Sequence, residues 1–276
     1  MATKHFTRIF ISSLFIAGLS NFAFAQRSQN VQENALWAPV PVKVDGKTNE
    51  VAFQASNKST LLSYTLSNDD KNLYLVMKSA DNMNNNKIMM GGITLTINME
   101  GKKKEKEGYT ITYPVIARQQ RGQGGNRSQG GGFGGGQGGG QRTAGLNVDS
   151  ATAARRKQQL ATAKEIKISG FKDITDSLIS IYNEYEISAA ANFDEKGAFV
   201  YELAIPLKSL GLSPNSKDFA YNIKINGRQF GGGGNVVRVN DGGGGFGGGL
   251  GGGRGGFDPS MFLPTDFWGK YTLAKK

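Results

Sequence analysis

The sequence predicts an all-β protein, a sandwich of two antiparallel β-sheets with one surface helix and two glycine-rich insertions. Many short segments alternate apolar and polar residues, turn-forming residues separate them, and only one stretch has a helical composition. The tracts Gly122–Gly145 and Gly231–Gly256 together hold 29 of the 40 glycines. Because glycine loses the most backbone freedom on folding, we expect both tracts to be disordered insertions in one folded domain.

The predicted strands follow one another with short connections. Asn68–Asn72 and Asp194–Gly197 have the composition of hairpin turns. Ser150–Lys164 is rich in Ala, Gln, Lys and Arg and is the predicted helix, which should lie on the surface because it has few large apolar residues. The predicted strands are Val40–Val44, Thr60–Leu66, Leu73–Met77, Ile93–Asn98, Tyr109–Tyr113, Tyr185–Phe193, Ala198–Ile205, Phe219–Ile225 and Phe267–Leu273.

Residues 1–25 have the features of a cleavable signal peptide. Lys4 and Arg8 precede an apolar run, and small residues at its end predict cleavage between Ala25 and Gln26. A membrane anchor is the alternative, but the run is shorter than the ~20 residues that a membrane span needs. We therefore expect export to the periplasm, the outer surface or the medium, with no transmembrane segment in the mature chain.

After the signal segment, the sequence predicts a lead-in at residues 26–39 and a single β-sandwich domain at residues 40–276. The chain has no cysteine, and its one histidine is His5. The exported part therefore has no means for histidine- or thiol-based catalysis or for zinc sites of those ligands. We expect no enzyme, no metal site and no cofactor; a hydrolase that uses paired carboxylates is the alternative that stays open.

The net charge of +11 is unevenly distributed. Residues 118–157 alone carry an excess of six positive charges. A basic stripe of this kind can attract an anionic surface, and a solvated loop is the alternative. Because few aromatic residues interleave the glycine tracts, we expect no nucleic-acid partner. The arginines concerned are Arg118, Arg121, Arg127, Arg142, Arg155 and Arg156.

Four segments occur in a characteristic order along the chain: Val44–Lys47 with Glu50, Asn68–Leu75, Val200–Leu207, and Phe219–Asn226 with Trp268–Leu273. Taken together, they resemble the family 9 carbohydrate-binding modules and the related DOMON-like domains. The resemblance implies a β-sandwich that holds a sugar against aromatic rings, with polar side chains bonding the hydroxyls. DOMON-like relatives that bind haem need axial His or Met ligands, and the exported chain has no histidine.

The sequence departs from the family at the positions expected to bind sugar. Lys87–Gly92 has neither the aromatic ring nor the acids that usually precede the next strand, and Phe53 stands where a tryptophan is usual. The remaining candidates for ligand binding are Trp37, Trp268, Asn226 and Arg228. Each has a structural alternative. Trp37 could pack over the sandwich edge, and Trp268 could be a core aromatic. Asn226 and Arg228 could be a turn residue and a surface charge.

The hypothesis that follows is an exported, non-catalytic β-sandwich that binds a carbohydrate or another envelope component. The alternative is a structural or assembly protein of the cell envelope, which would contact anionic surfaces or partner proteins through its basic glycine-rich tracts.

Overall fold

The computed structural model describes residues 29–48, 52–116, 150–227 and 261–276. Two antiparallel sheets of five and six strands pack face to face, which confirms the predicted fold class. The predicted signal peptide and both glycine-rich tracts lie outside the described residues.

Sheet A has the strand order β1-β2-β3-β9-β8. Its register follows from two hairpins: Leu66 of β2 faces Leu75 of β3, and Ala191 of β8 faces Tyr201 of β9. The bounds are β1 Ala55–Asn57, β2 Leu62–Asn68, β3 Asn72–Ser79, β8 Ser188–Phe193 and β9 Phe199–Pro206.

Sheet B has the strand order β11-β10-β4-β5-β6-β7. Both β4 and β5 have the bounds predicted from their alternating sequences, as does β10, whereas β1, β6 and β7 were not predicted. The bounds are β4 Ile93–Asn98, β5 Tyr109–Tyr113, β6 Glu165–Ser169, β7 Leu178–Ser180, β10 Phe219–Ile225 and β11 Thr265–Tyr271.

The inward side chains of the two sheets form one core. The hydroxyls of Tyr64 and Tyr221 lie 2.8 Å apart across it, and Phe267 packs on both rings. Tyr64 and Tyr221 are fully buried. Successive side chains of a strand point to opposite faces, so the apolar half of each alternating strand fills this core and the other half forms the outer surfaces.

Two α-helices, and a 3₁₀ turn after β9, accompany the sheets among the described residues. Helix α2, Ser150–Ala161, lies within the predicted helix Ser150–Lys164, and the 3₁₀ turn spans Leu207–Leu210. Helix α1, Asn82–Gly91, is a second helix that was not predicted, because four of its ten residues are asparagine, a weak helix former. Asp81 caps it, accepting a bond from the Asn84 amide at 2.8 Å.

The predicted strand Val40–Val44 is wrong: residues 38–46 contain no strand and form a covering segment on the outer surface of sheet A. Val42 and Val44 pack there against Tyr74 of β3, while Val40 is exposed. Pro39 and Pro41 explain the difference, since neither has an N–H to donate to a sheet ladder.

Glu202 of β9 fixes the end of the covering segment. Its side chain is buried, points away from the core, and accepts 2.8 Å bonds at Oε2 from the amides of Asp45 and Gly46. Gly46 has φ +79°, a left-handed conformation that glycine adopts without strain. Two of the family-like segments thus meet in one structural contact. Burial raises the pKa of Glu202 above its ordinary value, against the lowering effect of these amides.

Candidate functional site

The outer surface of sheet B, called here the polar face, presents one side chain from each of five adjacent strands in a row. Asn222 pairs with Trp268 on one side and with Thr96 on the other, and Thr96 pairs in turn with Thr110. Ser169 ends the row. Cross-strand partners on one face have Cβ atoms ~5 Å apart, so these side chains form a continuous line with a tryptophan at one end.

A second row runs parallel to the first and carries the charges. It consists of Asp266, Lys224, Thr94, Thr112 and Lys167, again one residue per strand. Hydroxyls, an amide and charged groups of both signs thus cover the polar face. This mixture can donate to and accept from a polyhydroxylated ligand.

Two polar atoms in the middle of the first row have no hydrogen-bond partner within the part of the chain that the structure describes. They are Oδ1 of Asn222 and Oγ1 of Thr96, and both residues are 0% exposed. The amide nitrogen of Asn222 is fully used, donating to Oδ2 of Asp266 at 2.6 Å and to the carbonyl of Phe267 at 3.0 Å. Buried polar groups are rarely left unpaired, so two neighbouring ones require an explanation.

Trp268 is half-buried at the edge of the row and does not belong to the core. The alternation of β11 turns Phe267 and Tyr271 inward and Trp268 outward. Gly269 faces inward beside it, where a Cβ atom would fall on the ring of Tyr221. The indole is therefore placed on the polar face by the same register that packs the core beneath it.

The β4–β5 hairpin contacts the polar face. Nδ2 of Asn98 donates to the carbonyl of Lys104 at 3.1 Å, and Nζ of Lys224 pairs with Oε1 of Glu105 at 2.6 Å. The remainder of the tip, residues 102–107, is exposed. These two contacts set the position of the hairpin next to the row.

Asn226 lies on the same side of sheet B as Trp268, two residues beyond Lys224. Its amide donates to the carbonyl of Gly91 at 3.0 Å and to Oγ1 of Thr94 at 2.8 Å. Both amide hydrogens are thus used to hold the end of α1 against β4. Arg228, the other predicted member of this pair, lies outside the described residues.

Trp37 lies elsewhere, beside the β2–β3 turn. Its neighbours are held to the end of β2, since Ala38 donates to the carbonyl of Asn68 at 2.8 Å and Asn68 donates to that of Leu36 at 3.0 Å. The half-buried indole lines a cavity of about 170 Å³. The structure therefore does not bring the two tryptophans into one site.

Lys87 of α1 is a buried cation that the sequence analysis did not single out. Only 3% of the residue is exposed, and Nζ donates to Oγ1 of Thr265 at 3.1 Å. Burial lowers the pKa of its ammonium group, against the opposing charge of Asp81. Within residues 29–48, 52–116, 150–227 and 261–276, no cluster of three or more acidic, cysteine or histidine side chains is placed to hold a metal ion.

Of the predicted basic contacts, only two are described. Arg155 is exposed, whereas Arg156 donates to Oδ1 of Asn86 at 2.7 Å and lies 5.9 Å from the ring centre of Phe193. The cleavage site at Ala25 and Gln26 lies outside the described residues. None of the described helices has the length and apolar character needed to cross a membrane. The other basic candidates, also outside the described residues, are Arg118, Arg121, Arg127 and Arg142.

Solved structures similar to the chain include two complexes with sugars. They are a family 9 carbohydrate-binding module from Caldicellulosiruptor kristjanssonii in complex with cellotriose, at 8% identity and TM-score 0.30, and one from the same organism in complex with glucose, at 9% and 0.29. They cover 70% of this chain, which in turn covers 75% and 77% of theirs.

Both belong to the family that the four sequence segments resemble. At these identities and TM-scores they bear on neither the ligand nor the site of this chain. No family profile and no curated protein matches the sequence.

Proposed function

We propose that the chain is an exported, non-catalytic module that binds carbohydrate on the polar face. The observation that carries the proposal is the half-buried indole of Trp268 next to the two unpaired atoms of Asn222 and Thr96. An indole packs against the apolar C–H face of a pyranose, while hydroxyls and amides bond the sugar hydroxyls. The polar face combines both requirements on adjacent strands.

The two unpaired atoms suit a hydroxylated ligand. Asn222 Oδ1 can only accept, and the Thr96 hydroxyl can donate or accept. A single sugar hydroxyl between these cross-strand partners can bond both, which removes the unfavourable burial of unpaired groups. Both residues are buried in the unbound structure, so binding requires the groups that cover them to move.

The rows also favour an extended ligand over a compact one. Five strands contribute polar groups in line, and the surface between them belongs to a sheet instead of a deep pocket. A flat surface of this kind contacts several consecutive sugar rings weakly. We therefore expect affinity to increase with oligosaccharide length.

Titration calorimetry of residues 26–276 with soluble oligosaccharides of increasing length tests the proposal. We expect saturable binding that Trp268→Ala weakens about tenfold, the scale of one lost aromatic contact. Thr96→Val should also weaken binding, because it removes one of the unpaired atoms. The matched control is Thr65→Val, the same change at a buried threonine on the outer surface of sheet A.

The outcomes separate the two functional hypotheses. Binding that is lost in Trp268→Ala and Thr96→Val and kept in Thr65→Val supports the polar face. No heat with any oligosaccharide, while the protein remains folded, contradicts the proposal and favours the envelope scaffold. Hydrolytic turnover that a carboxylate substitution abolishes would contradict the non-catalytic part.

Export is tested separately by N-terminal sequencing of the protein recovered outside the cytoplasm of the producing cell. We expect the first residue to be Gln26, because the sequence places the small residues of the cleavage site at its N-terminal side. A chain that starts at residue 1 and stays in the cytoplasm contradicts this part of the proposal.

A further inference from the structure

We infer that the chain has a second ligand site, which takes one neutral sugar ring in the cavity beside Trp37. The cavity lies at the β2–β3 turn, and its lining includes an aromatic ring, two carboxylates, two lysines and two amides. These residues are Trp37, Asn68, Asp69, Asp70, Asn215, Lys275 and Lys276.

The cavity differs from the polar face in shape. Its volume of about 170 Å³ is smaller than the ~300–1,000 Å³ of pockets for drug-sized ligands. It is therefore suited to a single ring, such as the end of a sugar chain, whereas the polar face is suited to a stretch of consecutive rings.

Several lining residues of the cavity are held in place by hydrogen bonds of the fold. Backbone bonds of Leu36 and Ala38 to Asn68 fix the chain on both sides of Trp37. The buried side chain of Asn68 also fixes Ala274, another lining residue, since its Oδ1 accepts from the Ala274 amide at 2.8 Å and from the Tyr271 hydroxyl at 3.2 Å. A site held in this way needs little rearrangement to bind.

Some polar groups of the lining are hydrogen-bonded within the protein, and others are not. The carboxylate of Asp69 is used within the turn: Oδ1 accepts from the amides of Lys71 and Asn72, both at 2.7 Å, and Oδ2 accepts from the Tyr74 hydroxyl at 2.6 Å. Among the described contacts, the side chains of Asp70 and Asn215 have no partner, and both residues are exposed.

The lining thus contains the kinds of group that bind a sugar ring. A carboxylate can accept from two adjacent hydroxyls, an amide can donate and accept, and an indole can cover the C–H face of the ring. Two acidic and two basic side chains balance one another in the lining, which favours a neutral ring over a charged one. The unbound groups, Asp70 and Asn215, are the ones we assign to the sugar hydroxyls.

The two tryptophans allow each site to be observed alone, because the chain has no others. In Trp268→Phe, Trp37 is the only indole, and its emission reports on the cavity. Glucose, galactose, mannose and N-acetylglucosamine are titrated into this variant in the millimolar range. We expect a saturable change in emission with at least one of them, which Asp70→Asn in the same background weakens about tenfold.

The control is Asp173→Asn, the same change at an exposed aspartate away from the cavity, which should leave the titration unchanged. If none of the four sugars changes the emission of Trp37, or if the Asp70→Asn and Asp173→Asn proteins behave alike, the site is refuted. Trp37→Phe, in which Trp268 is the only reporter, measures the polar face independently. A negative result at the cavity therefore does not contradict carbohydrate binding on the polar face, and a negative result at the polar face does not contradict the cavity site.

Discussion

The two sheets of the sandwich use their outer surfaces differently. On the outer surface of sheet A, two buried groups are paired: Glu202 accepts from two backbone amides of the covering segment, and Thr65 both donates and accepts. On the polar face of sheet B, Asn222 and Thr96 are equally buried but have unpaired atoms.

This difference separates residues that stabilise the fold from residues available for binding. A buried group with all its bonds made contributes to stability, and its loss leaves a partner unpaired. A buried group without a partner lowers stability, and a ligand that supplies the bond recovers the loss. Removing a paired buried group on sheet A and removing an unpaired one on sheet B should therefore have opposite effects on stability.

The largest effect is expected at Glu202. Glu202→Ala removes the acceptor of the Asp45 and Gly46 amides and should lower the free energy of unfolding by about 3 kcal/mol, since each unpaired buried group costs ~1–3 kcal/mol. Urea denaturation followed by circular dichroism measures this. Glu195→Ala, in an exposed turn, is the control and should change stability by less than ~0.5 kcal/mol. Similar losses in both variants would show that Glu202 does not hold the covering segment.

The sharpest comparison uses two buried threonines. Thr65→Val breaks a 2.9 Å bond to the carbonyl of Ala52 and should lower the free energy of unfolding by about 1 kcal/mol. Thr96→Val replaces an unpaired hydroxyl by a methyl group and should raise it by about 1 kcal/mol. The same denaturation experiment measures both. A loss of stability in Thr96→Val would mean that its hydroxyl has a partner, and the argument for the polar face would fail.

Much of the fold could be predicted because β-strand alternation and turn composition are local signals. They gave the bounds of β4, β5 and β10 and the turns that precede β3 and β9. The failures have tertiary causes. Helix α1 exists in an asparagine-rich segment because Asp81 caps its start and Asn226 holds its end. The alternation of Val40–Val44 was misleading because prolines between the valines prevent strand pairing.

Less of the candidate site could be predicted. Trp268 was selected as a rare aromatic, but the sequence did not reveal that it lies on the outer surface. The alternation of Phe219–Ile225 indicates that Asn222 faces outward, yet no sequence pattern shows whether an outward side chain has a hydrogen-bond partner. That property depends on strands distant in the sequence, as does the separation of Trp37 from Trp268.

The pH dependence of stability should distinguish Glu202 from the surface carboxylates. Burial raises the pKa of Glu202 above 4.5, the value expected in the unfolded chain. The carboxyl group of Glu202 therefore stays protonated to higher pH in the folded state than in the unfolded chain. As a result, the contribution of Glu202 to stability falls as pH rises from 4.5 through the folded-state pKa. Subtracting the Glu202→Gln curve from the wild-type curve of unfolding free energy against pH should give this negative slope. A flat or rising difference would contradict it.

The smallest effect is expected at the ion pair beside the polar face. Glu105→Gln removes the contact with Lys224 and should lower the free energy of unfolding by about 0.5 kcal/mol or less, because both side chains are partly exposed and solvent screens their attraction. Denaturation in low and in molar salt measures this, and the difference from wild type should vanish in molar salt, where the Debye length is ~3 Å. The loss in Glu202→Ala should persist there, since it comes from buried backbone amides. If the loss in Glu105→Gln also survives molar salt, the contact between Glu105 and Lys224 is more than a screened ion pair. The distinction between paired groups on sheet A and unpaired groups on sheet B would then explain less of the stability than the contacts indicate.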